Sequence, residues 1–194
     1  LPFNAPRSLL HGIFVNRFGQ RFVNEDTYMG RVGQAALVGQ GGEAYLIVDE
    51  SHYAPNWLGI PATWVCSSAA ELEVEIGLPA GSLAATLDYY NAHAARGADP
   101  LFHKRSPVLT PLHPPLAAFD MRASTFVYAP FTLGGLDTRV DGAVLDLDGS
   151  PIVGLFAAGR TTSGVAAQGY ASGLSLGDST LFGRLAGRAA AGAK

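Results

Sequence analysis

The residues best suited to chemistry lie near the C-terminus, from Pro151 to Arg188. An apolar run, Ile152 to Ala158, ends at Gly159-Arg160, and a segment bearing Gly164 and Gly169 follows it. Then come Tyr170-Ala171-Ser172-Gly173-Leu174-Ser175 and a stretch of small residues. The apolar run reads as a short buried strand. The segment through Gly164 and Gly169 reads as a loop. From about Ser172 to Ala191 the residues favour a helix, with Ser172 placed to cap it. A strand, a glycine-rich loop and a small-residue helix leave backbone N–H groups at the helix start, where the helix dipole adds its field. Such a terminus attracts negative charge on a ligand. Gly183 and Gly187 fall on one helical face, with Gly177 a turn and a half earlier. Glycine costs roughly 1 kcal/mol relative to alanine inside a helix, so this face is expected to approach a neighbouring strand closely.

The elements that must position this stretch are read from pattern. Gly12 to Asn24 holds two short apolar runs about Arg17-Phe18-Gly19-Gln20, a hairpin with glycine in its turn. Gly30 to Val38 suits a short helix, and Ala44 to Asp49 a strand. Gly39-Gln-Gly-Gly-Glu-Ala44 matches a GxGxxA string, but a dinucleotide loop must follow a strand and open a helix. Here a strand comes after it, so it reads as a turn. Asn56 to Thr63 is loop. Ser68 to Ile76 is a short helix carrying Glu71, Glu73 and Glu75. Pro79 to Ser82 opens a second helix, with Leu83, Leu87 and Tyr90 at helical spacing and an end near Arg96-Gly97. Asp99 to Pro115 is proline-rich and extended. Ser124 to Leu133 is β-prone, and Asp137 to Leu147 reads as a strand pair before an Asp148-Gly149 turn.

Totals exclude several classes. The chain has 194 residues, 48% hydrophobic and 15% charged, so a packed core is expected rather than disorder. A net charge of −3 gives no reason to expect nucleic acid or an anionic membrane surface as partner. No apolar run reaches the roughly 18 residues that span a bilayer. Cys66 alone permits no internal disulfide and fits a reducing, cytoplasmic compartment. His103 and His113 lack metal-ligand spacing, so no metal site is expected. The N-terminus, Leu1-Pro2-Phe3-Asn4, has neither an initiator Met nor a signal-peptide pattern and reads like the middle of a longer protein.

Two stretches resemble the flavin-dependent fumarate reductase and 3-ketosteroid dehydrogenase superfamily. One spans Thr132 to Ala190: a strand ending Ala157-Ala158-Gly159, the glycine-rich loop, and a helix with Phe182-Gly183-Arg184-Leu185-Ala186-Gly187. The other is Gly12-Ile-x-Val-Asn-x-x-Gly-x-Arg-Phe-Val-Asn-Glu25, which resembles the start of the family's substrate-capping region. The resemblance implies an α+β fragment of a two-domain flavoprotein. Residues 10–125 would be the substrate-capping region, and 126–194 the C-terminal strands and helix of the FAD-binding domain. The family's N-terminal pyrophosphate loop has no counterpart in the right context. The missing N-terminal half is therefore the expected partner, and the isolated fragment is expected to hold no stoichiometric FAD and to be inactive.

The branch follows from substitutions at the family's site positions. The fumarate-reducing branch uses a proton-donating Arg where this chain has Tyr53, a His where it has Phe131, and a final-loop Arg where it has Tyr170. Without those cations a dianionic substrate lacks its charge-assisted partners. Tyr53, Tyr170 and Ser172 instead resemble the sites of the 3-ketosteroid dehydrogenases. Tyr170-Ala-Ser172-Gly-Leu-Ser-Leu-Gly-Asp with Gly159-Arg160-Thr-Thr-Ser-Gly164 is most similar to the Δ4-(5α) type. The implied roles are Tyr170 as hydrogen-bond donor to a ketone, and Tyr53, aided by Ser172, as proton acceptor. Gly159, Arg160, Gly173, Leu174 and Ser175 would lie against the flavin. Arg160 departs from the Glu common in the fumarate branch, and its role stays open. Plainer readings stand beside these. A half-buried tyrosine is ordinarily a packing residue, Ser172 fits a helix cap equally well, and His52 reads as a surface residue rather than a base. Phe126, Tyr128 and Phe131 suit a steroid pocket or a core alike. Another flavin-dependent reductase, or a non-catalytic ligand-binding domain, is the alternative.

Overall fold

Apolar strands and amphipathic helices sort into two compact units, Leu1–Ala129 and Pro130–Lys194. They come from a computed structural model, which describes residues 7–54, 61–126, 133–166, 169–171 and 173–192. Helices and antiparallel sheets make the chain α+β.

The first unit is built on four antiparallel strands in the order β1-β2-β4-β3: β1 (Ile13–Val15), β2 (Tyr45–Asp49), β3 (Trp64–Cys66) and β4 (Leu116–Asp120). In the register Ile47 opposes Ala118 and Asp49 opposes Leu116. Every residue of β2 is buried. Successive side chains point to opposite faces, and both faces are covered. Tyr45 and Ile47 join the cluster of Leu72, Leu83, Leu87 and Leu112, whereas Leu46 and Val48 join Leu9, Phe14, Val32 and Phe119. A strand covered on both faces needs apolar residues throughout, which is why this one is a continuous run in sequence.

Helix α1 (Met29–Gln34) runs on into a π-turn over Ala35–Gly39. Helix α2 (Ala69–Ile76) starts where the Ser68 hydroxyl accepts the Glu71 amide at 3.1 Å, and Glu71 reaches back to the Ser67 amide at 2.8 Å. This is a close relative of the capping box. It stops at Gly77, whose φ of +82° favours glycine. Helix α3 (Ser82–Ala94) has no side-chain cap of its own. The buried carboxylate of Glu73, on α2, accepts the amides of Gly81 (2.6 Å) and Ala84 (2.9 Å) instead.

Several expectations need correction. The turn about Gly19 forms, but the arm after it touches Val15 only through an isolated bridge at Arg21, and β1 pairs with β2. Ser124 to Phe126 is turn rather than strand, and 127–132 lies outside the described residues. The strand that matters there is β4, just after the proline-rich segment, and β3 follows the expected loop at a place where no element is expected.

In the second unit β5 (Ala143–Leu145) and β6 (Pro151–Phe156) form a hairpin. Its turn is tied by Asp146, whose carboxylate accepts the amides of Asp148 (2.9 Å) and Ser150 (2.8 Å). Helix α4 (Leu174–Gly192) follows a one-turn 3-10 helix, Gly159–Thr161. The expected strand pair over Asp137 to Leu147 is one strand, β5, plus a bridge from Thr138 to Val144. β6 is a strand as expected, but not a buried one: Val153 is 99% exposed. Within the described part of this unit its main neighbours are β5 and α4. The helix glycines also differ from expectation. Among the described residues nothing lies within 4 Å of a Cβ added at Gly177, Gly183 or Gly187. The close approach is at Gly142, φ +84°, where an added Cβ would fall 3.0 Å from the Cα of Ala186.

Candidate functional site

Tyr53 belongs to the first unit. β2 ends at Asp49 and turns through a one-turn 3-10 helix, Glu50–His52, which the Asp49 carboxylate caps by accepting the His52 amide at 3.1 Å. Tyr53 closes that turn by donating its amide to the Glu50 carbonyl at 3.3 Å. Its ring stacks on Phe119 of β4, with centroids 6.1 Å apart and planes 15° apart. The side chain is 40% exposed, and its hydroxyl accepts a long hydrogen bond from the Ala62 amide at 3.4 Å. A braced, half-exposed phenol can donate to or accept from a ligand without first being ordered.

The second unit gathers most of the other predicted residues about the start of α4. Gly159 is buried with φ +69°, and an added Cβ would fall 2.7 Å from the Ser179 hydroxyl of α4. The next turn is held by Thr162, whose buried hydroxyl donates to the Gly159 carbonyl at 2.7 Å. Leu136 runs parallel to this loop, donating to Thr161 at 2.9 Å and accepting from Ser163 at 3.0 Å. The structure thus lays the Gly134-Gly135 segment beside the Gly159 loop. Gly164 packs on the carboxylate of Asp178, which is buried. Arg160 is exposed, and Tyr170, Leu174 and Ser175 are half-buried.

These residues fit a ring that gathers negative charge. Gly173 has φ +91°, and among the described residues nothing lies within 4 Å of a Cβ added there. The first turn of α4 carries no acidic residue, and Asp178 is turned inward against Gly164. Among the described residues the positive end of this 19-residue helix, at Gly173–Ser175, has no acidic residue of its own first turn against it. Tyr53 is placed within the first unit and Tyr170 within the second. Ser172, Tyr128 and Phe131 lie outside the described residues. No group of three His, Cys, Asp or Glu residues among the described ones could hold a metal ion.

The most heavily charged assembly was not expected. Arg21 bonds Glu25 at 3.1 and 2.7 Å and Asp99 at 3.1 and 2.9 Å. Lys104, wholly buried, donates to the Gly12 carbonyl and lies 3.7 Å from Glu25. The guanidinium also stacks over Tyr90 and Phe102, 4.8 and 4.9 Å from the ring centres. Burial works against the charge of Arg21, yet the bonds to Glu25 and Asp99 carry its pKa above the ordinary value. Burial likewise opposes ionisation of Asp99, and Arg21 overrides it and holds the pKa low. For Lys104 burial outweighs the opposing pull of Glu25 and Asp99, and brings the pKa down to about 8. Asp99 and Lys104 come from the segment expected to be proline-rich and extended, and no pairing of Arg21 is expected from the sequence. A shallow cavity of about 440 Å³ opens beside Arg21, Tyr89, Tyr90 and Leu101 and includes none of the predicted site residues.

The comparisons with known proteins bear on the same elements. The chain is 49% identical to 3-ketosteroid-Δ4-(5α)-dehydrogenase from Rhodococcus jostii RHA1, solved in complex with 4-androstene-3,17-dione, with a TM-score of 0.85 over 96% of this chain and 40% of that one. It is 33% identical to 4-oxocyclohexanecarboxylate 2-dehydrogenase of Sinomonas cyclohexanicum, over 93% of this chain and 36% of that protein. It is 31% identical to the fumarate reductase (cytochrome) of Shewanella frigidimarina, over 92% of this chain and 32% of that protein. The chain therefore spans 32% to 40% of the length of these relatives. The FAD binding domain family matches from residue 7 to residue 176, across both units and up to the start of α4. With that match added to a strand, glycine loop and open helix end suited to a charged ring, the chain belongs to the FAD binding domain family, and FAD is its cofactor.

Proposed function

We propose that this chain is the capping and C-terminal portion of an FAD-dependent dehydrogenase that oxidises a 3-ketosteroid to its 4-ene. The observation that carries the reading is the 49% identity, over 96% of the chain, to a 3-ketosteroid-Δ4-(5α)-dehydrogenase. Phenols at positions 53 and 170 support it. A ketone needs a neutral donor on its oxygen to stabilise the enolate-like charge that grows as a neighbouring proton leaves; the Tyr170 hydroxyl is that donor. Tyr53 accepts the proton. Since a free phenol has a pKa near 10, the proton must be passed on, and Ser172 passes it toward solvent. When bound, FAD supplies the acceptor for the hydride. Gly173, Leu174 and Ser175 offer backbone N–H groups and the helix dipole to charge on the ring, and Gly159 keeps the loop pressed on α4. Residues 10–125 act as the cap over the substrate, and 126–194 complete the FAD-binding domain. Further polypeptide of that domain covers the exposed face of β6, consistent with the 40% span of the structural relative.

A fumarate reductase-like activity is the second reading, favoured by the 31% identity to the Shewanella enzyme. Against it, tyrosines stand where guanidinium groups would grip a dicarboxylate. The test is anaerobic addition of a saturated 5α-3-ketosteroid to the FAD-loaded protein, this segment joined to its natural upstream sequence. The steroid is expected to bleach the flavin absorbance, and Tyr170→Phe to abolish bleaching while flavin stays bound. Reoxidation by fumarate with no response to the steroid would establish the second reading instead.

A further inference from the structure

We propose that Asp49 and His52 form a clamp that positions the Tyr53 phenol, a role that rests on reading Tyr53 as the proton acceptor. Asp49 is 4% exposed, yet its carboxylate serves no Lys or Arg in the described structure. Its Oδ1 orders the turn that ends at Tyr53, and its Oδ2 ties that turn to the segment before β4. Oδ1 accepts the His52 amide at 3.1 Å and lies 2.7 Å from His52 Nδ1; Oδ2 accepts the His113 amide at 3.4 Å. A carboxylate has no proton to give, so Nδ1 is the protonated ring nitrogen.

The cap alone does not require a charge. Asparagine caps a turn as well as aspartate does, and burying the neutral amide costs less. What the carboxylate adds is a second acceptor, used by the His113 amide, and a stronger hold on the imidazole edge. The face of that imidazole is held too. It stacks on His11, with ring centres 4.3 Å apart and planes 15° apart, and His11 Nδ1 lies 3.2 Å from the Thr110 hydroxyl. Burial, then the His52 and Lys104 charges, lowers the pKa of His11, while Asp49 opposes them. A neutral His11 lets the stack persist beside the Asp49–His52 pair. Tyr53 is thereby fixed from two sides. Asp49 and His52 set the direction in which its Cα leaves the sheet, and Phe119 sets the plane of its ring.

The experiment compares variants in the FAD-loaded protein with a saturated 5α-3-ketosteroid, and 3-fluorotyrosine at position 53 in this chain by 19F NMR. A displacement of a reacting group costs up to about 100-fold in rate, so His52→Ala should lower kcat by roughly 10- to 100-fold. KM should stay within about threefold, since only the positioning of a group used in the reaction is lost. His52→Asn keeps a donor at the Nδ1 position and should restore most of kcat. In a Tyr53→Phe background His52→Ala should cost nothing further, and the fluorine signal should shift and narrow in His52→Ala but not in His52→Asn. An unchanged fluorine signal in His52→Ala overturns the clamp, as does an equal loss of kcat with and without the Tyr53 hydroxyl. Full turnover by Tyr53→Phe removes the catalytic reading of Tyr53, and the fluorine comparison then decides the clamp by itself.

Discussion

Arg21 and Asp99, 78 residues apart in sequence, are joined by two parallel hydrogen bonds, Nη1 to Oδ1 at 3.1 Å and Nη2 to Oδ2 at 2.9 Å, with both side chains buried. The pair pins the turn after β1 to the end of α3. Removing one member leaves buried charge with only part of its pairing: Arg21 keeps Glu25, and Asp99 loses the guanidinium. Such a loss typically costs about 3–5 kcal/mol, so Asp99→Ala and Arg21→Met should each lower the denaturation midpoint of the chain sharply. Arg21→Lys should recover little, because an ammonium cannot form the planar fork to two carboxylates.

Lys104 gives a pH dependence of definite sign. Its folded pKa of about 8 lies below its ordinary 10.5. Between these values the unfolded chain binds more protons than the folded one, so stability rises with pH. The contribution is complete above the unfolded pKa and is lost as pH falls through about 8. Urea titrations from pH 7 to 11 should show this rise in the native chain and a flatter profile in Lys104→Met.

Gly142 and Gly187 should respond in opposite ways. At Gly142 a side chain meets Ala186 and must adopt φ +84°. Overpacking of this kind costs about 1–3 kcal/mol, so Gly142→Ala should destabilise the second unit in a thermal melt. Gly187 lies inside α4 with nothing within 4 Å among the described residues. Gly187→Ala should therefore stabilise by up to about 1 kcal/mol from helix propensity.

Glu73 tests how α3 is started. Its two oxygens take the amides of Gly81 and Ala84, in place of a cap at position 81 itself. Glu73→Ala leaves those amides without their partner, at about 1–3 kcal/mol, and leaves a cavity. Glu73→Gln retains one acceptor and should fall between the two. Hydrogen exchange at Ala84 should quicken in the order native, Gln, Ala.

Sequence alone determined what depends on neighbours in the chain. The Ser68 cap, the glycine stops at Gly77 and Gly97, the turn about Gly19 and the strand, loop and helix about Gly159 are all decided within a few residues, and each is legible as a pattern of types. The family resemblance lay in the same local strings. Tertiary structure alone decided what depends on distant segments. β4 is one of the two inner strands of the sheet although Leu-Ala-Ala-Phe-Asp carries no alternation and no β-branched residue; its pairing with β2 and β3 makes it one. Glycines on α4 marked a close contact, but the helix meets its neighbour through Ala186 because the empty space was made on the other side, at Gly142. The apolar run of β6 announced burial, and its exposure here records that hydrophobic pattern names a need for cover without naming the cover. Asp99 and Lys104 reach Arg21 and Glu25 only through the tertiary fold, since charges about 80 residues apart attract measurably only once folding has removed the water between them.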